Sequence, residues 1–202
     1  MAGCGIRALR WGLEALDSSV LHSGEMQSPV FWVNDADFAR TAVLERNLDP
    51  LRQKNLCLNL SHQPAEALLS CAYLEKRLFD LIDLDCFGCP NALLQPVLQV
   101  LAANGLLLLA SSDGRSPTGH DRLGAIRSLS AAARAHPSSW EMALRLQLGV
   151  IARQAWMLGR GLEPLASFSD GRTFRLAVRI RRSLVVEEEN QLGFLARCES
   201  CG

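Results

Sequence analysis

The sequence lacks the features of a secreted or membrane-spanning protein. No stretch of about 18 uninterrupted apolar residues occurs in it, which excludes a conventional transmembrane helix. The opening residues, MAGCGIRALRWG, lack the basic segment, apolar core and cleavage site of a signal peptide. The seven cysteines are an odd number without a disulfide-framework pattern, which favours a reducing compartment. We therefore expect an intracellular protein with no membrane partner.

Net charge is also lacking, because basic and acidic residues are equal in number, but the charges are unevenly distributed. Residues 115–182 hold 12 arginines and only four acidic residues, whereas acidic residues prevail on both sides of this segment. An arginine-rich segment in a neutral protein is typical of a phosphate-facing surface. The alternative is that these arginines line solvated helix faces.

Strand and helix patterns alternate through the first half of the chain. The chain of 202 residues is 49% hydrophobic, which fits one globular domain with a sizeable core. Asp49-Pro50 is expected to end the first helix of this alternation, and Gly105 the third. The order of elements predicts an α/β fold with a doubly wound, mostly parallel sheet. The predicted strands are 29–35, 55–60, 79–85 and 105–112, and the helices between them 36–48, 64–77 and 91–104.

The pattern changes after residue 115. Residues 120–136 and 138–160 read as two helices. Residues 162–182 read as two strands around the turn SDG, which predicts an antiparallel hairpin at the end of the sheet. No internal repeat or low-complexity segment is present.

The opening residues contain a glycine-rich turn, Gly3-x-Gly5-x-x-Ala8. Such turns let the backbone approach a nucleoside cofactor closely, although a purely structural turn is about as good an explanation. The strand that normally precedes this turn is absent from the sequence. We therefore expect the first strand of the sheet to be missing, in a fragment or a naturally truncated form.

Three acidic residues and one aromatic residue follow predicted strands. Asp35 ends the 29–35 strand, where it would accept hydrogen bonds from a ribose, or act as a helix N-cap together with Asp37. Asp83 and Asp85 are two apart on the 79–85 strand, so both should point to one face. A carboxylate at the carboxyl end of such a strand can accept a hydrogen bond from an exocyclic amine, and Phe87 can stack on a base. The alternatives are a core aromatic for Phe87 and a cap or ion pair for Asp83.

Several segments together resemble the tRNA guanine-N2 dimethyltransferase family. The segment DLDCFGCP at 83–90 is similar to the family signature Asp-x-Asp-Pro-Phe-Gly-Ser-Pro, and GCGIR is similar to its glycine turn. VNDAD, SSDG, LGVIARQAWMLG and FSDGRTFRLAVRIRR resemble further family segments, so the resemblance covers essentially the whole chain. It implies a class I methyltransferase fold that uses S-adenosyl-L-methionine to methylate a tRNA guanine at the junction of the D and anticodon stems.

The resemblance also implies roles for individual residues. Asp85 would accept the proton of the guanine amine, Phe87 would stack on the base, and Asp83 would support the site. The residues implied to contact the cofactor are Gly3, Gly5, Arg7, Asp35 and Ala65. Departures from the family are Cys86 for proline, Cys89 for serine, and Gln63-Pro64 where the family has an acidic pair near the adenine.

Two other functions remain open at this point. One is an inactive, methyltransferase-like RNA-binding protein, since a missing first strand would leave neighbouring strands unpaired. The other is a nicotinamide oxidoreductase, which rests only on the glycine turn. We expect a monomer.

The cysteines raise the question of zinc. Cys86-x-x-Cys89 and Cys198-x-x-Cys201 could form one site, but their separation is far from usual zinc spacing. Cys198 and Cys201 better resemble the first half of a zinc ribbon in a C-terminal RNA-binding domain that this sequence does not contain. The four histidines show no ligand spacing. We therefore predict a catalytic domain at 1–182, and a linker with the start of a further domain at 183–202.

Overall fold

The computed structural model describes residues 2–15, 29–198 and 200. The chain forms two compact units, Met1–Ala72 and Tyr73–Gly202, and each is described by itself below. Strands and helices alternate as predicted, and the predicted α/β class is confirmed with a mixed sheet. No helix of the described ranges is both long and apolar enough to cross a membrane.

The first unit consists of a two-stranded parallel sheet with helices. The strands β1 and β2 pair from Val30 with Cys57 to Asn34 with Ser61. Their carboxyl ends therefore lie side by side. The elements are α1 (Ile6–Arg10), a π-helical turn (Trp11–Ala15), β1 (Val30–Asn34), a 3-10 turn (Phe38–Arg40), α2 (Thr41–Gln53), β2 (Cys57–Ser61) and α3 (Ala65–Leu74).

The core of the first unit depends on three leucines of α2. Leu44, Leu48 and Leu51 are four and three residues apart and are completely buried, next to Val33 and Leu56. The prediction that this helix ends before Pro50 is wrong, because α2 continues to Gln53. Pro50 removes one backbone donor, but burial of Leu51 in the core keeps the last turn helical.

The second unit contains a four-stranded mixed sheet of order β3-β4-β6-β5. Strands β3 and β4 are parallel, whereas β4–β6 and β5–β6 are antiparallel, so the predicted terminal hairpin is confirmed. The elements are β3 (Phe79–Cys86), a 3-10 turn (Pro90–Leu93), α4 (Leu94–Val100), β4 (Leu101–Ser111), α5 (Arg122–Leu129), α6 (Ser139–Met157), β5 (Leu162–Ser169), β6 (Phe174–Ile180) and a 3-10 turn (Glu188–Gln191).

The start of β4 differs from the sequence prediction. Helix α4 ends at Val100, not at residue 104, and residues 101–104 already belong to β4. The register between the strands shifts there, from Phe79 opposite Leu101 to Leu81 opposite Leu106. A side chain at Gly105 would stand 3.1 Å from the Asp80 carbonyl oxygen. Gly105 is therefore needed for close approach of the two strands and does not end the helix.

The core of the second unit lies between its sheet and its helices. Strand β6 alternates buried and half-buried residues along its whole length. Completely or almost completely buried residues come from β4, β6, α4 and α6. They include Leu107, Leu109, Leu176, Val178, Ile180, Leu94, Val97, Leu98, Ile151 and Ala155.

Residues 185–188 are attached to the body of the second unit through Glu188. The Glu188 carboxylate accepts hydrogen bonds from Trp156 Nε1 at 2.9 Å and from the Leu162 amide at 2.6 Å. Its second oxygen lies 3.3 Å from the Val185 amide. The division of the chain into a domain at 1–182 and a linker thereafter stays a prediction.

Strand β5 is at the edge of the four described strands of the second unit. It contains Pro164, and the register against β6 shifts between Pro164 and Ala166. The side chain of Leu165, which lies at this irregularity, is exposed. Proline and bulges are common on edge strands, because a central strand would need the missing backbone donor.

Candidate active site

In the first unit, the glycine turn contacts the acid at the end of β1. Gly3 and Gly5 both have left-handed backbone conformations, with φ of 60° and 76°. The Gly3 amide donates a hydrogen bond of 2.8 Å to Asp35 Oδ2, and the Asp37 amide donates one of 3.0 Å to Asp35 Oδ1. Two residues that were predicted from separate motifs are therefore direct neighbours.

Asp35 is ionised over a wide pH range in this environment. Asp35 is only 9% exposed to solvent. Burial raises the pKa of the carboxyl group, but the amide hydrogen bonds from Gly3 and Asp37 stabilise the charged form, and the pKa falls to about 2. Asp35 is not the helix N-cap, because Asp37 Oδ1 accepts from the Ala39 amide and takes that role. The carboxylate of Asp35 is thus a fixed anionic acceptor.

Gly5 also has a packing role that the motif alone did not reveal. A side chain here would stand 3.0 Å from Leu44 Cδ2 and 3.2 Å from Leu48 on α2. The start of α1 therefore approaches α2 too closely for any larger residue. Arg7 is half-buried on α1, and Ala65 is the first residue of α3. Contact of Gly3, Gly5, Arg7, Asp35 or Ala65 with a cofactor stays a prediction.

Further polar residues at the ends of β1 and β2 were missed by the sequence analysis. The Asn34 side chain donates to the Gln63 carbonyl at 2.9 Å and accepts from Ser61 Oγ at 2.8 Å. Ser61 in turn accepts from Trp32 Nε1 at 2.8 Å. These bonds fix the loop after β2 against β1. The signal was the Asn-Asp pair of VNDAD, whose asparagine has a structural role beside the acid.

His62 is a connector between elements, although no ligand spacing singled it out. Its Nδ1 lies 2.9 Å from the Asp35 carbonyl oxygen and its Nε2 lies 3.0 Å from Thr41 Oγ1. The ring of Phe38, which is largely exposed, lies 4.9 Å from the His62 ring at an angle of 32°. The carboxyl ends of β1 and β2 thus carry an exposed aromatic ring that packs on His62, which in turn contacts the Asp35 backbone.

In the second unit, Asp83 and Asp85 lie on one face of β3 as predicted. They flank the buried Leu84 and stand opposite Leu108 and Ala110 of β4. Both aspartates are half-buried. Phe87 follows the strand and is completely exposed, so the core alternative for this ring is wrong.

The loop that carries Phe87 is held by the end of β4. The Gly88 carbonyl oxygen accepts from Ser111 Oγ at 3.0 Å and from the amides of Ser112 and Asp113 at 3.1 and 3.3 Å. The Gly88 amide donates to Ser112 Oγ at 2.7 Å. Gly88 has a φ of 73°, in the left-handed region that glycine adopts most easily. The SSDG segment therefore positions the loop next to Asp85.

The cysteines of this loop are poor candidates for metal ligands. Cys86 and Cys89 are half-buried, and burial raises the pKa of the Cys89 thiol. Within the described ranges, no cluster of three or more potential metal ligands exists. Cys198 is exposed, and Cys201 lies outside the described residues. The predicted zinc in a further domain stays a prediction.

Comparisons with known proteins agree with the sequence and the fold. The model of the family described as N2,N2-dimethylguanosine tRNA methyltransferase matches residues 1–202. A tRNA (guanine(26)-N(2))-dimethyltransferase of Drosophila melanogaster is 30% identical over 83% of this chain, and one of Methanocorpusculum labreanum is 27% identical over all of it. A solved Trm1 from Pyrococcus horikoshii, in complex with S-adenosyl-L-methionine, has a TM-score of 0.79 over 95% of this chain at 21% identity, which shows a shared fold.

The chain spans only part of the length of these proteins. It covers 30% of the Drosophila relative, 48% of the Methanocorpusculum relative and 51% of the Pyrococcus structure. Because the family model matches from the first residue to the last, the assignment does not depend on any single motif. The chain belongs to the N2,N2-dimethylguanosine tRNA methyltransferase family.

Proposed function

We propose that this chain is the catalytic part of a tRNA (guanine-N2)-methyltransferase that transfers methyl groups from S-adenosyl-L-methionine to the guanine at position 26. The observation that carries the proposal is the pair Asp85 and Phe87, a half-buried carboxylate and a completely exposed ring at the carboxyl end of β3. The names of the curated relatives supply the substrate class.

Asp85 is proposed to act on the exocyclic amine of guanine. The N2 lone pair is delocalised into the ring, so the amine is a poor nucleophile, and its proton becomes acidic only as nitrogen becomes tetrahedral. Asp85 accepts a hydrogen bond from this amine and takes its proton as the nitrogen–carbon bond forms. The carbon–sulfur bond breaks with its electron pair going to sulfur, so that the sulfonium becomes a neutral thioether. Asp83, on the same face of β3, supports the position of Asp85.

Phe87 is proposed to hold the base after it leaves its helical stack. Extrusion of a stacked base costs a few kcal/mol, and stacking on an aromatic ring returns about 1–3 kcal/mol. The hydrogen bonds from Ser111, Ser112 and Asp113 to Gly88 O keep the ring at the strand end. A guanine stacked on a fixed ring can present its amine in few orientations. Correct orientation supplies much of the lowering of the barrier when two bound molecules react.

The first unit is proposed to hold the methyl donor, which supplies a methyl group on an electrophilic sulfonium. The donor set fits this ligand, because Asp35 presents an ionised carboxylate beside a turn with two left-handed glycines. Asp35 accepts hydrogen bonds from the ribose hydroxyls, and the backbone at Gly3 and Gly5 approaches the amino-acid end. Arg7 and Ala65 complete the proposed contacts. The relevant support is a solved fold neighbour that binds this molecule.

The test is methyl transfer from radiolabelled S-adenosyl-L-methionine to a tRNA transcript, with a transcript carrying adenine at position 26 as the control. Asp85→Asn should abolish transfer while calorimetry still detects the cofactor, because only the proton acceptor is lost. Transfer at the wild-type rate would remove Asp85 from the mechanism. Absence of both cofactor binding and transfer in the wild-type chain would instead favour the inactive RNA-binding alternative.

A further inference from the structure

An exposed tryptophan stands at the end of the second unit's sheet where Phe87 is found. Trp140 is the second residue of α6 and is 50% exposed. Its ring lies 5.6 Å from the ring of Phe174 at an angle of 28°, in a stacked arrangement. Phe174 is 2% exposed, so it forms a rigid support beneath the indole. The exposed part of the indole is available to a flat partner.

A short series of neighbouring residues links Trp140 to the loop that carries Phe87. Phe174, its support, is the first residue of β6 and pairs with Ser111, the last residue of β4. Ser111 Oγ donates the 3.0 Å hydrogen bond to the Gly88 carbonyl oxygen. The loop carrying Phe87 therefore lies at the same end of the sheet as Trp140 and Phe174, namely the end at which β3 terminates.

Two exposed arginines directly follow glycines that lie next to this aromatic pair. Arg115 follows Gly114, at which a side chain would stand 3.7 Å from the Phe174 ring. Arg172 follows Gly171, at which a side chain would stand 3.7 Å from Trp140 Cη2. Among the residues that the structure describes, neither arginine forms a salt bridge. Asp170 is the one acidic residue of the hairpin turn that contains Arg172. Its carboxylate accepts hydrogen bonds from the backbone amides of Arg172 and Thr173.

Other arginines of the cationic segment 115–182 have protein partners. Arg145 pairs with Glu141, and Arg179 and Arg181 pair with Glu163. Arg160 binds backbone carbonyl groups. The arginine-rich composition is thus partly structural, and among the arginines of this segment without an ion pair in the described part of the chain, Arg115 and Arg172 are the two that follow glycines next to the aromatic pair.

We propose that Trp140 is a second stacking platform, which binds an unpaired nucleotide of the RNA next to the target guanine while Arg115 and Arg172 bind the adjacent phosphates. A flat apolar ring between cations is the surface that unpaired RNA recognises, by stacking and phosphate contacts. The inference rests on the proposed function for the identity of the RNA. It adds an RNA contact beyond those proposed for Asp85 and Phe87.

The test measures the dissociation constant of the 202-residue chain for a tRNA transcript. Trp140→Phe keeps a flat ring, whereas Trp140→Leu covers Phe174 but removes the π surface. Stacking predicts that the leucine variant binds about 5- to 150-fold more weakly and that the phenylalanine variant stays close to wild type. Tyr73→Leu is the matched control. Tyr73 is 55% exposed but does not belong to the group formed by Trp140, Phe174 and the Phe87 loop, so this change should not alter affinity.

Two further measurements complete the test. Arg172→Gln should lower the slope of log affinity against log salt by about 1, as expected for one lost phosphate contact. Binding of tRNA should quench tryptophan emission in the wild type and quench it less in Trp140→Phe, a comparison that does not need the leucine variant to fold. Equal affinities for the leucine and phenylalanine variants, or quenching that Trp140→Phe leaves unchanged, would overturn the proposal.

The outcomes also separate this inference from the proposed function. If the wild-type chain binds tRNA in a Trp140-dependent way but transfers no methyl group, the catalytic proposal fails and the stacking platform remains. If methyl transfer occurs but the affinity for tRNA does not depend on Trp140, only the proposal of the stacking platform fails. A wild-type chain that does not bind tRNA at all would overturn the platform as well.

Discussion

At the scale of single residues, the candidate site depends on how neighbouring backbone groups set the state of an acidic side chain. Asp35 shows this most directly, because two amides donate to its two carboxylate oxygens. The bond from Asp37 is local, whereas the bond from Gly3 exists only in the folded chain, since Gly3 and Asp35 are distant in sequence. The charge of Asp35 is therefore a property of the fold of the first unit.

This gives a prediction for the pH dependence of stability. The folded pKa of Asp35 is about 2, below the ordinary value of 3.8, so the ionised form stabilises the folded state above pH 3.8. That contribution is lost progressively as the pH falls from 3.8 towards 2. Asp35→Asn should therefore lower stability near neutral pH and flatten the decline in acid. Urea unfolding of both proteins at about pH 7 and between about pH 5 and about pH 2 measures this, and parallel curves would contradict it.

At the scale of elements, the loop between β3 and α4 determines where the exposed Phe87 ring stands. Gly88 has a left-handed backbone, and a side chain there would meet nothing within 4 Å. Any effect of adding a methyl group at this position therefore comes from the backbone conformation and not from a clash.

Gly88→Ala should cost about 1 kcal/mol of stability and reduce methyl transfer at least about tenfold, because the strained loop displaces Phe87. Gly159 after α6 offers a matched control, since it has a φ of 70° and equally open surroundings. Gly159→Ala should lose similar stability and retain activity. Thermal unfolding and the methyl-transfer assay together decide this, and equal activities of the two variants would remove the loop from catalysis.

The elements also show what could be predicted from the sequence. Alternating strand and helix patterns and the SDG turn gave the class and the hairpin, because hydrophobic periodicity reflects burial directly. Pro50 and Gly105 led to wrong predictions of where two helices end. The burial of Leu51 and the close approach of β3 to Gly105 decide those ends, and both are tertiary effects that the local sequence does not show. The motifs singled out Asp35, Asp85 and Phe87 as candidates, and their roles stay predictions. No local pattern singled out His62 and Trp140, because their contacts are with residues distant in the chain.

At the scale of the whole molecule, each compact unit needs contacts that join several elements. Arg160, after α6, provides one such contact in the second unit. Its guanidinium donates to the carbonyl oxygens of Leu98, Leu101 and Ala102 at 2.6 to 2.8 Å. Burial lowers the pKa of this guanidinium, but arginine stays protonated at neutral pH. Arg160 thus connects the end of α4 and the start of β4 to α6.

Arg160→Met should lower the free energy of unfolding by about 2–4 kcal/mol, because several partly buried carbonyl groups lose their donor. Arg145→Met is the control, since Arg145 belongs to an exposed pair with Glu141 and should contribute less than about 1 kcal/mol. Urea titration of both variants gives the comparison. Similar losses in the two variants would show that Arg160 does not have this connecting role.

The irregular strand β5 has a consequence for how copies of the second unit behave towards each other. A regular edge strand offers a row of backbone donors to which a neighbouring molecule can add a strand of its own. Pro164 has no amide hydrogen, and the register shift beside it interrupts the row in the middle of β5. This margin of the sheet is therefore a poor template for strand addition, which protects a concentrated solution of the chain from polymerising through it.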